Sequence, residues 1–449
     1  MRFGTDGVRG RAHSELTEAM ASDLGRAIAR VFFGTPVVIG GDSRESTPAF
    51  ITAVSQGLIN GGAEVESLGI VPTPIVAAES SRRNAVGVVI SASHNPFFDN
   101  GIKVFGPGGA KLSTETEAQI EAEWNRQDAP DVVAKPSGNM TTGEMADVRV
   151  RYLERITSAI EQRSLQGIRV VIDAANGAAS ELAGEVFASV SADVIVIHAD
   201  PNGTNINDGC GATHTQSLQE AVLAYGADVG LALDGDADRL IAVDHLGNLV
   251  DGDRVIAILA SDMRSRGMLT GNTVVVTVMA NLGFRRAMTT AGIEVVETPV
   301  GDRHVLEALI EGGFSLGGEQ SGHIIIPAHA TTGDGMLTGV VLLDAVVRSG
   351  QSLAELSSAS MKSYPQVLIN VPVPVRGEVP DEAIREVRQE LEGELGDDGR
   401  ILIRPSGTEP LVRVMVEAAL QADAERIATT LADAIERSYE PMNDDDGEE

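Results

Sequence analysis

The sequence holds a single cysteine, Cys210, so no disulfide can close within the chain, and a reducing, cytoplasmic setting is expected. Lysine is almost as scarce, at positions 103, 111, 135 and 362 only, and the 34 basic residues are outnumbered by 65 acidic ones. A net charge of −31 repels nucleic acid and anionic membrane, both of which need a basic patch, so neither is expected as a partner. An acidic, lysine-poor surface fits a salt-adapted source or a GC-rich genome. No stretch approaches the roughly 18 apolar residues of a membrane span, and Asp344 interrupts the longest candidate, Leu337 to Val347. Arg2, Asp6, Arg9 and Arg11 leave the N-terminus without the apolar run of a secretory leader. The excess of acid sets a condition on function: an anionic substrate requires arginine, lysine or metal concentrated at its site.

What is present is alternation. Thr17 is placed to cap a helix carrying Leu24, Ile28 and Val31, and Val37 to Gly40 reads as a buried strand. Thr47-Pro48 opens a second helix, with Phe50, Ala53, Val54, Gly57 and Leu58 on one face, stopped by Gly61-Gly62. Strand signals recur at 86–90, 168–172, 194–197, 229–233, 240–243, 274–278 and 323–326. Strands interleaved with helices predict an α/β fold with largely parallel pairing. Soft points lie at Asp128 to Asp147, at Asp251-Gly-Asp253, and at Lys362 to Pro374, where prolines surround an edge-strand signal. Beyond them, helix 381–395, strands near 401–403 and 412–416 and helix 424–438 read as a small α+β unit, and 443–449 as an acidic tail.

Five segments carry chemistry. The run Ile90-Ser-Ala-Ser-His-Asn-Pro-Phe97 leaves an apolar strand with two serines, a histidine and an asparagine, and Lys103 follows on the next apolar segment. Alone it reads as a polar loop. Leu233-Asp-Gly-Asp-Ala-Asp-Arg239 sets Asp234, Asp236 and Asp238 at alternate positions after a strand, where they can converge on one hard cation. It is not an EF-hand: Arg239 stands where that loop needs glycine, and its twelfth position is His245. Gly317-Gly-Glu-Gln-Ser-Gly-His323 is a glycine-flanked turn offering Glu319, Ser321 and His323 to a polyol. Ile403-Arg-Pro-Ser-Gly-Thr-Glu-Pro-Leu-Val-Arg413 follows a strand with hydroxyls, backbone N–H groups and two flanking arginines, a phosphate cradle in composition without a Walker lysine. Phe3-Gly-Thr-Asp-Gly-Val-Arg-Gly10 brackets Arg9 with glycines. A cation held by three carboxylates has use for the serine loop if the serine carries a phosphoryl group, whose charge the cation offsets.

In their order these five segments resemble those of the α-D-phosphohexomutase superfamily, from Phe3 to Arg413. The resemblance implies three α/β domains with mixed sheets and a smaller C-terminal α+β domain around a central cleft. The corresponding spans here are a phosphoserine domain (1–150), a metal-binding domain (151–252), a sugar-binding domain (253–365) and a phosphate-binding domain (366–442). It further implies a phosphoserine at Ser93, one Mg²⁺ per chain on Ser93, Asp234, Asp236 and Asp238, and sugar hydroxyls on Glu319 and Ser321. The non-reacting phosphate falls to Arg404, Ser406, Gly407, Thr408 and Arg413, with His94, Asn95 and Arg239 in support. The N-terminal octapeptide, Gln320 in the sugar turn, the Arg-Pro-Ser-Gly-Thr-Glu-Pro run and Asn205 to His214 lean towards the hexosamine-phosphate branch.

The activity so implied is a reversible transfer between Ser93 and either end of a hexose phosphate, through a 1,6-bisphosphate that also serves as activator. Arg9 neutralises the moving charge, Lys103 is the first candidate for the base, His323 the second, and His94 is a hydrogen-bonding partner of the loop. A glucose or mannose phosphate substrate, transfer to water, and a non-catalytic sugar-phosphate-binding regulator are the competing readings. A monomer or homodimer is expected.

Overall fold

The computed structural model describes residues 3–4, 7–126, 140–143, 145–374, 377–406 and 410–439. Two compact units divide the chain: Met1–Ala280 with Met288–Ser360, and Asn281–Ala287 with Met361–Glu449.

In the first unit, apolar segments become the inner strands of three sheets. The first sheet contains β1 (Val8–Arg11), β2 (Val37–Gly41), β3 (Val65–Ile70), β4 (Val86–Ile90), β5 (Asp99–Phe105) and β6 (Met140–Thr142) in the order β1-β5-β4-β2-β3-β6. β2 and β4, apolar throughout and buried at every residue, pair in parallel, as two-sided burial requires. β5 returns antiparallel beside β4, so the serine loop is the turn between two neighbouring strands. The helices 18–31 and 47–60 pack on one another through glycines. A Cβ at Gly57 would stand 1.8 Å from the carbonyl oxygen of Ser22, so the close crossing admits no side chain there. Thr17 caps the first of these helices by accepting from the backbone N–H of Met20.

The second sheet holds β7 (Arg169–Asp173), β8 (Asp193–Ile197), β9 (Val229–Leu233), β10 (Leu240–Asp244) and β11 (Leu249–Val250), ordered β11-β10-β9-β7-β8. The third holds β12 (Thr273–Thr277), β13 (Glu294–Thr298), β14 (Gly317–Gly318) and β15 (Ile324–Ile325), ordered β13-β12-β14-β15. Each sheet mixes parallel pairs with an antiparallel hairpin, and each hairpin turn carries one of the motifs: Asp234–Arg239 between β9 and β10, Glu319–His323 between β14 and β15. Parallel strands end at one edge of a sheet, which is where α/β proteins place ligand-binding loops.

The run Leu337 to Val347 lies within one helix, Gly335–Ser349, buried from Gly335 to Val346 and capped by Asp334. Among the described residues no helix is long and apolar enough to cross a membrane. The stretch 128–147, read as a soft boundary, falls partly outside the described residues, and its end forms structure instead: β6 adds to the sheet edge beside β3, and helix Met145–Ala159 follows. In the second unit β16 (Gln366–Pro372), β17 (Arg400–Pro405) and β18 (Leu411–Glu417) form an antiparallel sheet in the order β16-β18-β17, with helices Asp381–Leu395 and Gln421–Arg437.

Candidate active site

The serine loop is shaped by a guanidinium that sequence reading passed over. Arg44, three residues past the end of β2, is fully buried and donates from Nη2 to the carbonyl oxygens of Ser93 at 2.9 Å and Asn95 at 2.8 Å. Its Nη1 donates to the carbonyls of Pro96 and Asp99, and its Nε to Asp42 Oδ2 at 2.9 Å. Asp42 also accepts from Ser91 Oγ at 2.6 Å, and Ser91 Oγ in turn accepts from the Ser93 N–H at 2.9 Å. Ser91 is therefore bound into the loop's frame. Ser93 is held in the left-handed region, at φ 54°, where a residue with a Cβ carries strain, and its hydroxyl is buried and donates to Asp234 Oδ2. Asn207, in the loop that follows β8, clamps the same loop, donating to the carbonyls of Ser93 (2.9 Å) and Asn95 (3.0 Å). Gly235 permits this approach, for a Cβ there would meet Ser93 O at 2.6 Å.

Asp234, Asp236 and Asp238 are buried, with one carboxylate oxygen of each within 4.8 Å of the others. Lys103 on β5 donates to Asp236 Oδ2 at 2.8 Å and Asp238 Oδ2 at 3.0 Å, and Thr73 Oγ1 donates to Asp236 Oδ2. Burial, and then repulsion from Asp238 and Asp236, pushes the Asp234 carboxyl well above its ordinary range. Burial acts the same way on Asp238 but is overcome by the Lys103 ammonium and the His323 ring, which hold it well below. The Oδ1 atom of Asp236 is buried without a hydrogen bond. Three crowded carboxylates, one of them raised and two, Asp236 and Asp238, with a buried Oδ1 that makes no aligned hydrogen bond, are the donor set that a hard divalent cation satisfies.

His94, Arg239 and His323 border this centre. His94 Nδ1 lies 3.4 Å from Ser93 Oγ, and burial, then the charges of Arg239 and Arg9, lower its ring to about 4, so it is neutral at pH 7. Asn95 donates its amide to Asp99 Oδ2 at 3.0 Å, closing the loop end. Arg9, half-buried on β1, lies opposite Gly101 of β5. The Arg239 N–H donates to Asp234 Oδ1 at 3.1 Å, and its Nε lies 3.8 Å from Asp238 Oδ1. His323 is enclosed: Nδ1 faces Asp238 Oδ1 at 3.6 Å, Nε2 faces Asp302 Oδ2 at 3.4 Å and accepts the Gly333 N–H at 2.9 Å. The neighbouring carboxylates raise the ring's proton affinity against its burial, yet the backbone N–H directed at Nε2 fixes that nitrogen as an acceptor. Glu319 is half-buried and Ser321 exposed on the β14–β15 turn, which the Gly252 N–H anchors through the Gln320 carbonyl at 3.0 Å.

In the second unit Arg404 and Arg413 stand directly opposite one another on β17 and β18. Ser406 is buried there, with its N–H on the Leu411 carbonyl at 2.8 Å; Gly407 and Thr408 lie outside the described residues.

Asp42, Arg44, Thr73 and Asn207 were missed as site residues. Asp42 and Arg44 had a signal, a charged cluster just past a wholly buried strand, but the acceptors of Arg44 in the loop are backbone carbonyls about fifty residues away, and the loop donor to Asp42 is the equally distant Ser91 hydroxyl.

Against known proteins, the chain matches the phosphoglucomutase/phosphomannomutase models for α/β/α domain I at residues 1–131, domain II at 150–247, domain III at 251–364 and the C-terminal domain at 368–434. It belongs to that family of phosphohexomutases. Within the family it is 49% identical over 448 residues to the phosphoglucosamine mutase of Mycobacterium tuberculosis (strain ATCC 25618 / H37Rv), covering 96% of this chain and 98% of that one. Its fold matches the phosphoglucomutase/phosphomannomutase family protein of Burkholderia thailandensis at a TM-score of 0.80 and 24% identity, over 97% and 98% of the two chains. The N-acetylphosphoglucosamine mutase of Aspergillus fumigatus, solved with GlcNAc-6P and magnesium, aligns at a TM-score of 0.71 and 19% identity, over 98% and 96%.

Proposed function

We propose that this chain is a phosphoglucosamine mutase, interconverting glucosamine 6-phosphate and glucosamine 1-phosphate on the way to UDP-N-acetylglucosamine. The observation that carries the reading is the Ser93 hydroxyl seated on Asp234, inside a buried carboxylate triad and beneath the backbone clamp of Arg44 and Asn207. The 49% identity to a phosphoglucosamine mutase along nearly the whole of both chains supports the amino-sugar substrate.

In this mechanism Ser93 carries a phosphoryl group. The free hydroxyl of the hexosamine phosphate attacks phosphorus, the P–O bond to Ser93 breaks, and Ser93 leaves as alkoxide and regains a proton. The 1,6-bisphosphate then presents its other phosphoryl group to the Ser93 hydroxyl, and the reverse transfer releases the isomer. Mg²⁺, one per chain on Asp234, Asp236, Asp238 and the serine, supplies charge neutralisation at the transferring group when bound. Lys103 takes and returns the proton of the attacking hydroxyl. His323 is a positioning group for Asp238, with Nε2 already committed to the Gly333 N–H. Arg9 and Arg239 offset the phosphoryl charge. Glu319 and Ser321 receive sugar hydroxyls, and the loop of Arg404, Ser406, Gly407, Thr408 and Arg413 receives the non-reacting phosphate.

Hexose 1,6-bisphosphate as activator, four domains with limits 1–150, 151–252, 253–365 and 366–442, a monomer or homodimer in the cytoplasm, and no nucleic-acid or membrane partner complete the proposal. A coupled assay on glucosamine 6-phosphate, mannose 6-phosphate and glucose 6-phosphate tests it. The first is expected to be preferred; preference for either other sugar by more than about tenfold, ~1.4 kcal/mol in transition-state binding, overturns the substrate assignment. Ser93→Ala is expected to abolish turnover, and full activity in that variant would reject the phosphoserine.

A further inference from the structure

Outside the aspartate triad, the described residues contain one other convergence of metal-ligating side chains, and it mixes donor types. Asp173 closes β7, His198 follows β8, and Cys210 sits in the loop before helix Gln216–Tyr225; one ligand atom from each lies within 4.8 Å of the others. We propose that Asp173, His198 and Cys210 form a second metal site, selective for a zinc-class divalent cation.

The argument begins with His198. Its Nδ1 is buried 3.1 Å from Asp173 Oδ2, near enough for that carboxylate to raise the ring's proton affinity, yet not aligned with it as a hydrogen bond. Two donor atoms at this spacing that do not point at one another are arranged as neighbouring corners of a coordination sphere. Zn–N and Zn–O bonds of about 2.0–2.2 Å put tetrahedral corners roughly 3.4 Å apart. The donor set of thiolate, imidazole and carboxylate is softer than the all-oxygen triad, which separates a zinc-class ion from Mg²⁺. Three protein ligands leave the fourth position to water. His198, with its side chain 31% exposed, gives access from solvent, while Asp173 and Cys210 are buried.

The surroundings orient these ligands. The backbone N–H groups of Ala175 and Gly211 donate to Asp173 Oδ1 at 2.9 Å and Oδ2 at 2.8 Å. The Asn176 amide lies 3.8 Å from Cys210 Sγ and donates towards it. Such outer donors fix the ligand geometry; burial and the charges of Asp173 and Asp208 push the Cys210 thiol up to about 12, against the Asn176 contact, so the thiolate forms only with a cation to offset that charge. The same loop bears Asn207, which holds the Ser93 carbonyl, so an ion at Cys210 braces the segment that clamps the serine loop. The proposal does not depend on the substrate assignment.

Cobalt is the probe, since thiolate bound to Co²⁺ gives a near-ultraviolet charge-transfer band and oxygen ligands do not. The chain has one cysteine, so such a band has one possible origin. Metal-free full-length protein and its Asp236→Asn variant, in which the triad is impaired, are titrated with Co²⁺. Both are expected to develop the band with one equivalent bound, and Zn²⁺ is expected to displace it. His198→Gln is expected to raise the cobalt concentration needed by at least about tenfold, and Cys210→Ser to remove the band, with circular dichroism confirming that both variants fold. No sulfur band in folded wild-type protein at saturating cobalt overturns the site; so does an unchanged titration of folded His198→Gln.

Discussion

At the scale of single residues, the serine loop separates what a sequence can and cannot display. Ser93 and the three aspartates stand out because each lies just past an apolar strand in a fixed local spacing. Arg44 does not, because its work is done on the carbonyls of residues 93, 95, 96 and 99, and backbone acceptors leave no mark in composition. A planar guanidinium can reach those acceptors together, whereas an ammonium is a point charge. Arg44→Lys is therefore expected to lower kcat at least about tenfold, ~1.4 kcal/mol of transition-state stabilisation, with KM nearly unchanged, because it loosens the nucleophile and not the substrate contacts. Steady-state kinetics below the unfolding temperature read both constants; a raised KM with unaltered kcat would place Arg44 in substrate binding instead. His94 yields a prediction of opposite kind. Its folded pKa of about 4 lies below the unfolded value near 6.5, so acid protonates the unfolded chain first. Stability is lost as pH falls from 6.5 towards 4, by about 2 kcal/mol at pH 5 for this group. The drop in denaturation midpoint between pH 7 and 5 should accordingly be smaller in His94→Gln than in the parent protein, and an identical drop would assign the loss to other groups.

At the scale of elements, strands were legible where both faces are apolar, as in β4 and β9, which lie where the pattern sets them. Met140–Thr142 was not, because an exposed three-residue edge strand takes its order from β3 and not from its own composition. The helix pair shows a third case. Its apolar face was readable, Gly57 included, but not that the glycines bring the two backbones together: Gly25 meets the Val54 carbonyl and Gly57 the Ser22 carbonyl. Helices that cross this closely carry their contact through backbone, and an added methyl group has no neighbouring space to enter. Gly57→Ala should lower unfolding free energy by up to about 3 kcal/mol in denaturant titrations, the upper end for overpacking, despite the better intrinsic helix propensity of alanine. Activity per folded molecule should stay close to that of the parent, as the crossing is remote from the serine loop in sequence and bears no site residue. A stabilised variant would mean that the two helices separate at little cost.

At the scale of the whole molecule, the charge of −31 was legible at once, and so was the need for local positive charge. The fold meets that need in its first unit by setting Lys103 and Arg239 against the aspartate triad and Arg9 near enough to His94 for its charge to act on that ring. Salt therefore acts on two opposed populations of charge. Across the surface, like charges repel, and their repulsion is relieved as the Debye length shrinks from about 10 Å at 0.1 M to about 3 Å at 1 M. At the site, the same screening weakens attraction between the cationic residues and a phosphorylated sugar. Raising KCl from 0.1 to 1 M is expected to increase Tm while raising KM for the sugar phosphate, with kcat less affected. The two readouts must move in opposite functional directions for the argument to hold. A fall in Tm would show that exposed ion pairs such as Arg169–Asp193, at 2.7 Å, outweigh the repulsion. A KM insensitive to salt would show that contacts too close to be screened dominate substrate capture, leaving the acidic surface no influence on it.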